Sequence, residues 1–280
     1  MYIEVQFIIK DVSIIRLLFW NLAKNNNERH IVDLIRENSI DICVFAEYNN
    51  TDLKMIISEL NDTFVLHSGC GGCDKIIMIA RKDYSIEIRR EQNRYTIYSV
   101  LSRKEKYIIA GLHLQDRRNN DPDARKNTAR ALINDIKEQE NILLNDNTIV
   151  IGDYNANPFD DELVQKDSFN AVLFKELIMK KEYDTFNGKR YRRFYNPMLT
   201  CISEDNLTYG TYYFSSGIKT IYWQFLDQVI MRKPLVSLLE RVQIIKAING
   251  KKLLNSTKPN SEISDHLPLI VVFERSNYNG

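Results

Sequence analysis

The 280-residue sequence has only four cysteines, no long apolar run and almost no net charge. The cysteines are too few and too scattered for a disulfide scaffold in a chain of this size. Cys70 and Cys73 have the spacing of a zinc or redox pair, but no further ligands complete such a site, which favours a structural turn. No segment approaches the roughly 20 apolar residues of a spanning helix, and no secretory signal is recognisable. These absences predict a cytoplasmic protein with reduced thiols and no membrane contact.

Charge is balanced along the chain, with 38 basic and 37 acidic residues and a net charge of +1. Such a chain has no global field that attracts nucleic acid, so any polyanionic partner must meet a local basic patch. The 44% apolar and 27% charged residues are typical of a globular protein. No repeat or Pro- or Gly-rich linker divides the chain, which predicts one domain over residues 1–280 with a core at about 14–274.

Short apolar runs alternate with polar turns and with segments of helical period. The runs predict strands over residues 14–20, 42–45, 76–80, 95–101, 107–112, 148–151, 225–230 and 269–273. Apolar residues three or four apart predict helices over residues 28–38, 52–61, 123–144 and 168–180. Residues 187–221 show no clear period and predict a long loop or a pair of short hairpins. Several consecutive strands without intervening helices indicate a layered mixed-sheet sandwich of the α/β class, flanked by helices.

Polar side chains stand at the ends of these apolar strands. Asp153 and Asn155 follow the strand at 148–151, while Asp265 and His266 directly precede the strand at 269–273. Groups fixed at strand ends are held rigidly and still reach solvent, as preorganised catalysis requires. Two such strand ends therefore predict one shared site. Further polar residues interrupt or end other strands: Asn21, Glu47, His113 and Asp227.

The order of these elements resembles the endonuclease/exonuclease/phosphatase superfamily. The resemblance rests on Gly-Asp-x-Asn at residues 152–155 and Ser-Asp-His-x-Pro at residues 264–268, together with the other strand-end residues. It covers residues 14–274. The superfamily includes deoxyribonucleases, abasic-site endonucleases, neutral sphingomyelinases and inositol-polyphosphate phosphatases. The resemblance implies a four-layered α/β/β/α sandwich in which two mixed β-sheets pack face to face between helices.

The resemblance also implies a divalent metal ion and a residue that activates water. Glu47 and Asp265 are similar to the family's metal ligands, and Asn21 completes the metal or phosphate environment. Such hard oxygen donors suit Mg²⁺, with Mn²⁺ as the alternative. Asp153 matches the residue that orients or deprotonates the attacking water, and Asn155 matches the amide that holds this water or a phosphate oxygen.

Two histidines complete the implied site. His266 is similar to the histidine that contacts the scissile phosphate, and Asp227 to its carboxylate partner, which favours the charged imidazole. His113 resembles the second active-site histidine of the deoxyribonuclease and sphingomyelinase branches, whereas the abasic-site branch usually has tyrosine there. Structural alternatives are that His113 is a satisfied core histidine and that Asp227 only orients the chain.

The implied reaction is in-line attack of water on a phosphate ester, with no covalent intermediate. A Mg²⁺-dependent nuclease acting on DNA, rather than on RNA, is the preferred interpretation. A small-molecule phosphatase, a sphingomyelinase-like phosphodiesterase and a non-catalytic binding module are the alternatives. Cations interleaved with aromatic residues predict contacts to phosphates and bases, against the alternative of a solvated loop with its rings packed inward. The candidate substrate-binding residues are Arg117, Arg190, Arg192 and Tyr195.

Overall fold

A computed structural model of the chain describes residues 13–102, 105–116, 123–202, 210–216, 220 and 222–275. Arg117, one of the four candidate substrate-binding residues, lies outside this part of the chain. None of the helices in the described ranges is long and apolar enough to cross a lipid bilayer. The strands, in chain order, are β1 (Ser13–Asn21), β2 (Ile42–Ala46), β3 (Phe64–His67), β4 (Ile76–Arg81), β5 (Ser85–Gln92), β6 (Tyr95–Leu101), β7 (Lys106–His113), β8 (Thr148–Asp153), β9 (Ala171–Val172), β10 (Tyr183–Phe186), β11 (Lys189–Arg192), β12 (Phe194–Tyr195), β13 (Tyr212–Tyr213), β14 (Trp223–Gln224), β15 (Asp227–Met231), β16 (Leu239–Ile244), β17 (Ala247–Ile248), β18 (Lys251–Lys252), β19 (Leu254–Asn255), β20 (Lys258–Pro259) and β21 (Leu269–Arg275).

The helices follow the local signals of the sequence. They are α1 (Glu28–Asn38), α2 (Leu53–Glu59), α3 (Ala124–Leu143), α4 (Asp161–Val164), α5 (Lys175–Lys180) and α6 (Lys233–Val236), with a 3₁₀ turn at Pro197–Cys201. α1 ends at Ser39, which adopts a left-handed backbone conformation. α2 begins after Asp52, whose carboxylate accepts hydrogen bonds from two backbone N–H groups of the first turn at 3.0 Å. This contact satisfies donors that have no partner within the helix.

Two large mixed sheets form the centre of the molecule, as the resemblance implied. One sheet has the strand order β16-β21-β1-β2-β4-β3, and the other has the order β5-β6-β7-β8-β15-β12-β9. β1 and β2 are parallel in the first sheet, and β7 and β8 are parallel in the second. α1 packs its apolar stripe against the first sheet, and α3 packs against the outer face of the second. The result is the predicted α/β/β/α sandwich.

The two sheets approach each other closely at Gly111 of β7. A Cβ atom at this position would lie 2.7 Å from a side-chain carbon of Ile76 and 2.8 Å from one of Val44, both in the opposite sheet. Contacts this short do not occur between real carbon atoms, so any larger residue would push the sheets apart. The absence of a side chain at Gly111 therefore permits close packing two residues before His113.

Strand periodicity directs polar side chains into the space between the sheets. In β8, Ile149 and Ile151 belong to the core between the sheets, whereas Val150 belongs to the core under α3. Because side chains alternate between faces, Asp153 points to the same side as Ile149 and Ile151. The same alternation places His113 on the inter-sheet side of β7. Both polar residues thus extend the inter-sheet core at its end.

The predicted helix over residues 168–180 is wrong in its first half. Ala171–Val172 form β9, which pairs in parallel with β12, and only Lys175–Lys180 are helical. Ser168 donates a hydrogen bond to the Glu162 carbonyl, and Asn170 has a left-handed backbone conformation that breaks a helix. Pairing at the sheet edge therefore overrides a helical period of apolar residues.

The segment at 187–221 contributes to two short hairpins, β10–β11 and β13–β14, as predicted.

A buried ion pair ties α3 to the second sheet. The fully buried Arg232 guanidinium donates to the Glu140 carboxylate at 2.9 Å and stacks 3.7 Å from the centre of the Phe194 ring. Glu140 also accepts a hydrogen bond from the Thr148 hydroxyl at 2.7 Å. Because both charges are removed from water, each one depends on its partner.

We expect Glu140→Gln to lower the free energy of unfolding by about 3–5 kcal/mol, because it leaves the Arg232 charge buried without a counter-charge. Urea unfolding measures this change. Glu138→Gln, at an exposed position of the same helix, is the control and should change stability by less than ~0.5 kcal/mol. Equal stability of the two variants would contradict a coupled buried pair.

Candidate active site

The Asn21 amide joins the two sheets at one end of the sandwich. Its Nδ2 donates to Asp153 Oδ2 at 3.1 Å and lies 3.4 Å from Glu47 Oε1. Its Oδ1 accepts from the Ala23 backbone N–H at 3.0 Å. Asn21 ends β1, Glu47 follows β2 and Asp153 ends β8, so one amide orients carboxylates from both sheets.

His113 lies between the same two carboxylates. Its Nε2 is 3.4 Å from Glu47 Oε1 and 3.6 Å from Asp153 Oδ2. Burial lowers the pKa of His113 to about 4; the Glu47 charge opposes this shift and the Arg94 charge adds to it. The imidazole is therefore neutral at pH 7. Its Nδ1 is buried and has no hydrogen-bond partner in the described part of the chain.

His266 and Asp227 form a buried ion pair. His266 Nδ1 lies 2.7 Å from Asp227 Oδ2, and the Asp227 backbone N–H donates to the Thr211 hydroxyl at 3.0 Å. Burial alone would lower the pKa of His266, but the charge and hydrogen bond of Asp227, with Asp153 and Asp265, raise it to about 10. His266 is therefore an imidazolium at neutral pH, with Nδ1 facing its counter-ion.

The backbone at His266 is held in place by three hydrogen bonds. The Trp20 indole donates to the His266 carbonyl at 2.9 Å, and the His266 N–H donates to the Ser264 hydroxyl at 3.0 Å. That hydroxyl in turn donates to the Asn21 carbonyl at 2.7 Å. The serine and histidine of the Ser-Asp-His-x-Pro element are thus hydrogen-bonded to the end of β1. They lie there because the strand that follows them, β21, pairs antiparallel with β1.

Asp153 is a buried carboxylate that lies near both histidines. Its Oδ1 accepts from the Asn155 backbone N–H at 2.8 Å. Burial raises the pKa of Asp153 to about 7; the His266 charge lowers it and the Asp227 charge raises it. A carboxylate of this kind accepts a proton more readily than an exposed aspartate.

Asn155 and Asp265 occupy the rim of this group. Asn155 has a left-handed backbone conformation, and its Nδ2 donates to the Leu114 carbonyl at 2.9 Å. Asp265 Oδ1 is 4.0 Å from His266 Nε2, and half of its side chain is exposed. The structure therefore brings together eight of the predicted site residues: Asn21, Glu47, His113, Asp153, Asn155, Asp227, Asp265 and His266.

The oxygen donors at the solvent side of this group fit a hard divalent cation. Ligand atoms of Asp153, Asp227 and His266 lie within 4.8 Å of one another. However, His266 is positively charged and its Nδ1 is engaged by Asp227 Oδ2, which leaves this ion pair poorly suited to binding a cation, although Asp227 Oδ1 is buried without a partner among the described residues. Glu47 and Asp265 have partly exposed carboxylates, at 28% and 50%. Mg²⁺ takes one or two carboxylates and keeps several waters, so partly exposed carboxylates of this kind have the donor chemistry that such an ion needs.

Two further residues next to the site were not predicted from the sequence. Arg94 lies in the turn before β6, where its carbonyl accepts the His113 N–H at 2.9 Å. The Tyr212 ring centre is 4.8 Å from that of His266. The strand β5 before Arg94 was not recognised, and Tyr212 falls in a segment without a period. No local signal therefore marked either residue.

Three candidate substrate-binding residues lie elsewhere. Tyr195 pairs with Met231, which pairs with Ile149 near the start of β8, whereas Asp153 ends that strand. Arg192 forms ion pairs with Glu140, Asp146 and Glu182. Arg190 neighbours Arg192 on β11. The length of β8, about 16 Å at 3.3 Å per residue, separates Arg192 and Tyr195 from the catalytic group.

The family model described as the endonuclease/exonuclease/phosphatase family matches residues 18–266. This range contains every strand-end residue of the group. The chain belongs to this family. Members of the family are hydrolases that act on phosphate esters, and they typically depend on a divalent metal. Among curated proteins, none matches the chain by sequence.

Solved structures of the family share this fold. The endonuclease domain of TRAS1, a telomere-specific non-LTR retrotransposon, is 12% identical with a TM-score of 0.54, covering 93% of this chain and 98% of its own. TDP2 from Caenorhabditis elegans is 16% identical with a TM-score of 0.57, covering 94% and 75%. TDP2 from D. rerio, in complex with a single-stranded DNA product, is 15% identical with a TM-score of 0.54, covering 93% and 99%. At these identities the likeness shows a common fold.

We expect Asp227→Asn to lower the pKa of His266 from about 10, because the variant loses the charge that opposes the effect of burial most strongly. NMR titration of the imidazole shifts, in the presence of a chelator, measures the pKa. His67, which is on the edge strand β3, is the internal control and should titrate identically in both proteins. An unchanged His266 would show that Asp227 is not its electrostatic partner.

Proposed function

We propose that this protein is a Mg²⁺-dependent phosphodiesterase, with Mn²⁺ as an alternative metal, that cleaves DNA. One observation carries the proposal. The buried Asp153 carboxylate stands beside both the His266–Asp227 ion pair and the Asn21–Glu47 contact. A base, a cation and a metal-binding carboxylate therefore face one position, as hydrolysis of a phosphate ester requires.

Asp153 is proposed to orient the attacking water and accept its proton. Two N–H donors, from Asn21 and the Asn155 backbone, fix the positions of its carboxylate oxygens. A base that is held rigidly loses little entropy when the water binds. The neutral His113 borders both Asp153 and Glu47 and adds a further polar contact for water on this side.

His266 is proposed to bind a phosphate oxygen at the reacting phosphorus. Because Nδ1 is engaged by Asp227, Nε2 is the nitrogen available to a ligand. An imidazolium N–H donates a charge-assisted hydrogen bond to the oxygen on which negative charge develops. Asp227 acts through His266 by maintaining its charge and the orientation of its ring.

Glu47 and Asp265 are the residues that would hold the metal. A bound Mg²⁺ supplies Lewis-acid stabilisation of negative charge on the phosphate. Asn21 directs its amide nitrogen towards Glu47 and its oxygen towards a backbone N–H. Asn21 is therefore better suited to positioning Glu47 than to binding the ion through its own oxygen.

DNA is the proposed substrate because several structural neighbours are named for DNA chemistry. One is a retrotransposon endonuclease domain, and another is a TDP2 that holds a single-stranded DNA product. The groups of the catalytic site touch only phosphate and metal, so they do not select a base or sugar. Hydrolysis assays on several classes of phosphate ester must therefore decide the substrate.

We expect Asp153→Asn and His266→Ala each to lower kcat for DNA cleavage by about 10²–10⁴-fold, because each removes a proton acceptor or a charge stabiliser. The assay compares single- and double-stranded DNA, RNA, inositol phosphates and sphingomyelin with Mg²⁺ or a chelator. His30→Gln on α1 is the matched control and should retain wild-type activity. Wild-type DNA cleavage by Asp153→Asn would refute the mechanism, and hydrolysis of inositol phosphates or sphingomyelin alone would replace the proposed substrate.

We expect Glu47→Gln to weaken Mn²⁺ binding at least tenfold, because removing a carboxylate ligand costs direct charge attraction to the ion. Electron paramagnetic resonance of free Mn²⁺ measures this affinity without substrate. Glu59→Gln, at an exposed position on α2, should bind Mn²⁺ as tightly as the wild type. Equal affinities of all three proteins would remove Glu47 from the metal site.

A further inference from the structure

A second cleft lies at the other end of the seven-stranded sheet, between α3 and the β10–β11 hairpin. It consists of two hollows of about 600 and 500 Å³. Lys137 of α3 and Arg190 and Arg192 of β11 line both hollows, so the two form one groove. Arg192 is linked to the buried pair that adjoins Thr148, at the start of β8. The groove is therefore remote from Asp153, at the end of that strand.

The carboxylates that line this groove are already neutralised. Glu140 is paired with Arg232, Asp146 with Arg192, and Asp167 with Arg130 at 2.8 Å. Each of these acids has its charge compensated by an arginine within the protein. They therefore contribute little net negative potential to a ligand in the groove.

The remaining cations of the groove give it a net positive charge. Lys137, Lys166, Lys189 and Arg190 line the two hollows. None of the four forms an ion pair with a carboxylate among the described residues. Burial lowers the pKa of Lys137; the nearby Arg232 charge adds to this shift and the Glu140 charge opposes it. An anion in the groove would stabilise the charged form of Lys137, because it adds negative charge beside the lysine.

The cations are spread along the groove rather than gathered at one point. Lys137 lies on α3 and Lys166 follows α4, so these two lysines come from different elements. Arg190 and Lys189 stand across from them on β11. A single phosphate could not contact all of these positions, whereas a chain of linked phosphates could.

Aromatic rings accompany the cations. The Arg190 guanidinium lies 4.3 Å from the centre of the Tyr183 ring, and Lys166 Nζ lies 5.3 Å from that of Phe186. Phe186 is 53% exposed, so its ring is accessible to a ligand. Asn187 and Gly188 both have positive φ and form the tight turn that presents this ring at the hairpin tip.

We propose that this groove binds a single-stranded segment of nucleic acid, away from the scissile bond. The positive charges would contact phosphates, and Phe186 would stack on an unpaired base. The role in holding substrate rests on the proposed nuclease function. The length of β8, on the order of 16 Å, separates the bound segment from the cleaved bond.

The combination of groups favours a single strand over other anions. Unpaired bases expose their faces for stacking, whereas a duplex buries those faces within its own stack. A small phosphate compound would use only one or two of the spaced cations. An acidic protein segment would gain from the charges but would not need the exposed Phe186 ring beside Lys166.

The test uses the full chain and a fluorescein-labelled DNA strand of about 30 nucleotides, longer than the footprint of one binding fold. Fluorescence anisotropy in the presence of a chelator reports binding without cleavage. We expect Lys137→Glu with Arg190→Glu to weaken affinity at least tenfold. Loss of two phosphate contacts should also reduce the slope of log affinity against log salt by about 1.4. If charge reversal unfolds the protein, as circular dichroism would show, Lys137→Gln with Arg190→Gln provides the same test.

The matched control is Lys82→Glu with Arg241→Glu, which reverses one exposed lysine and one exposed arginine on the other sheet. It should bind DNA as the wild type does. Phe186→Ala should weaken DNA binding fivefold or more and leave binding of inorganic polyphosphate unchanged, because only bases stack on the ring. The inference would be overturned if the groove variant and the control variant bound DNA equally tightly. It would also be overturned if the wild type bound polyglutamate as tightly as it binds DNA.

Hydrolysis of bis(p-nitrophenyl) phosphate separates this inference from the proposed function. That substrate is too small to reach the groove, so the groove variant should hydrolyse it at the wild-type rate. If the wild type hydrolyses no phosphodiester, the nuclease proposal fails while the binding assay still tests the groove. If the wild type cleaves DNA but the groove variant binds DNA normally, only the groove inference fails.

Discussion

This structure depends on one constraint. Side chains alternate between the two faces of each strand, and the strands of the two sheets face each other across a narrow layer. Gly111 lets the two sheets approach closely, and the alternation turns every second side chain into the layer between them. At one end of the layer, that same face carries His113 and Asp153 instead of apolar residues. The candidate catalytic group therefore continues the core. The packing that stabilises the sandwich also holds these side chains rigid.

Burial of so many polar groups requires a specific distribution of charge. His266 is charged because Asp227 offsets the cost of its burial, whereas His113 is neutral because burial outweighs the carboxylates beside it. Two histidines in one site therefore have opposite protonation states at pH 7. Under the proposed function, this difference would let the His266 imidazole contact an anionic phosphate, while His113 borders carboxylates without forming a second fixed cation.

The two ends of β8 contribute to two different groups of side chains. Asp153 at one end belongs to the candidate catalytic group, and Thr148 at the other supports the buried Glu140–Arg232 pair. Arg232 and Arg192 form ion pairs with the acids beneath the basic groove, Glu140 and Asp146. Among the described residues, the outer cations of the groove have no carboxylate partner. Ion pairs that stabilise the attachment of α3 thereby also determine the charge of the nearby surface.

Local patterns in the sequence determined eight of the strands, three of the four predicted helices and the eight polar residues that converge at strand ends. They could do so because burial and strand position act over only a few residues. Pairing between distant segments decided the rest. It made Ala171–Val172 a strand within a predicted helix, and it placed Arg94 and Tyr212 beside the site without any local mark. It also moved Arg190, Arg192 and Tyr195 to the far end of the sheet, because strand register, which no short pattern encodes, sets which loops share an end of the sandwich.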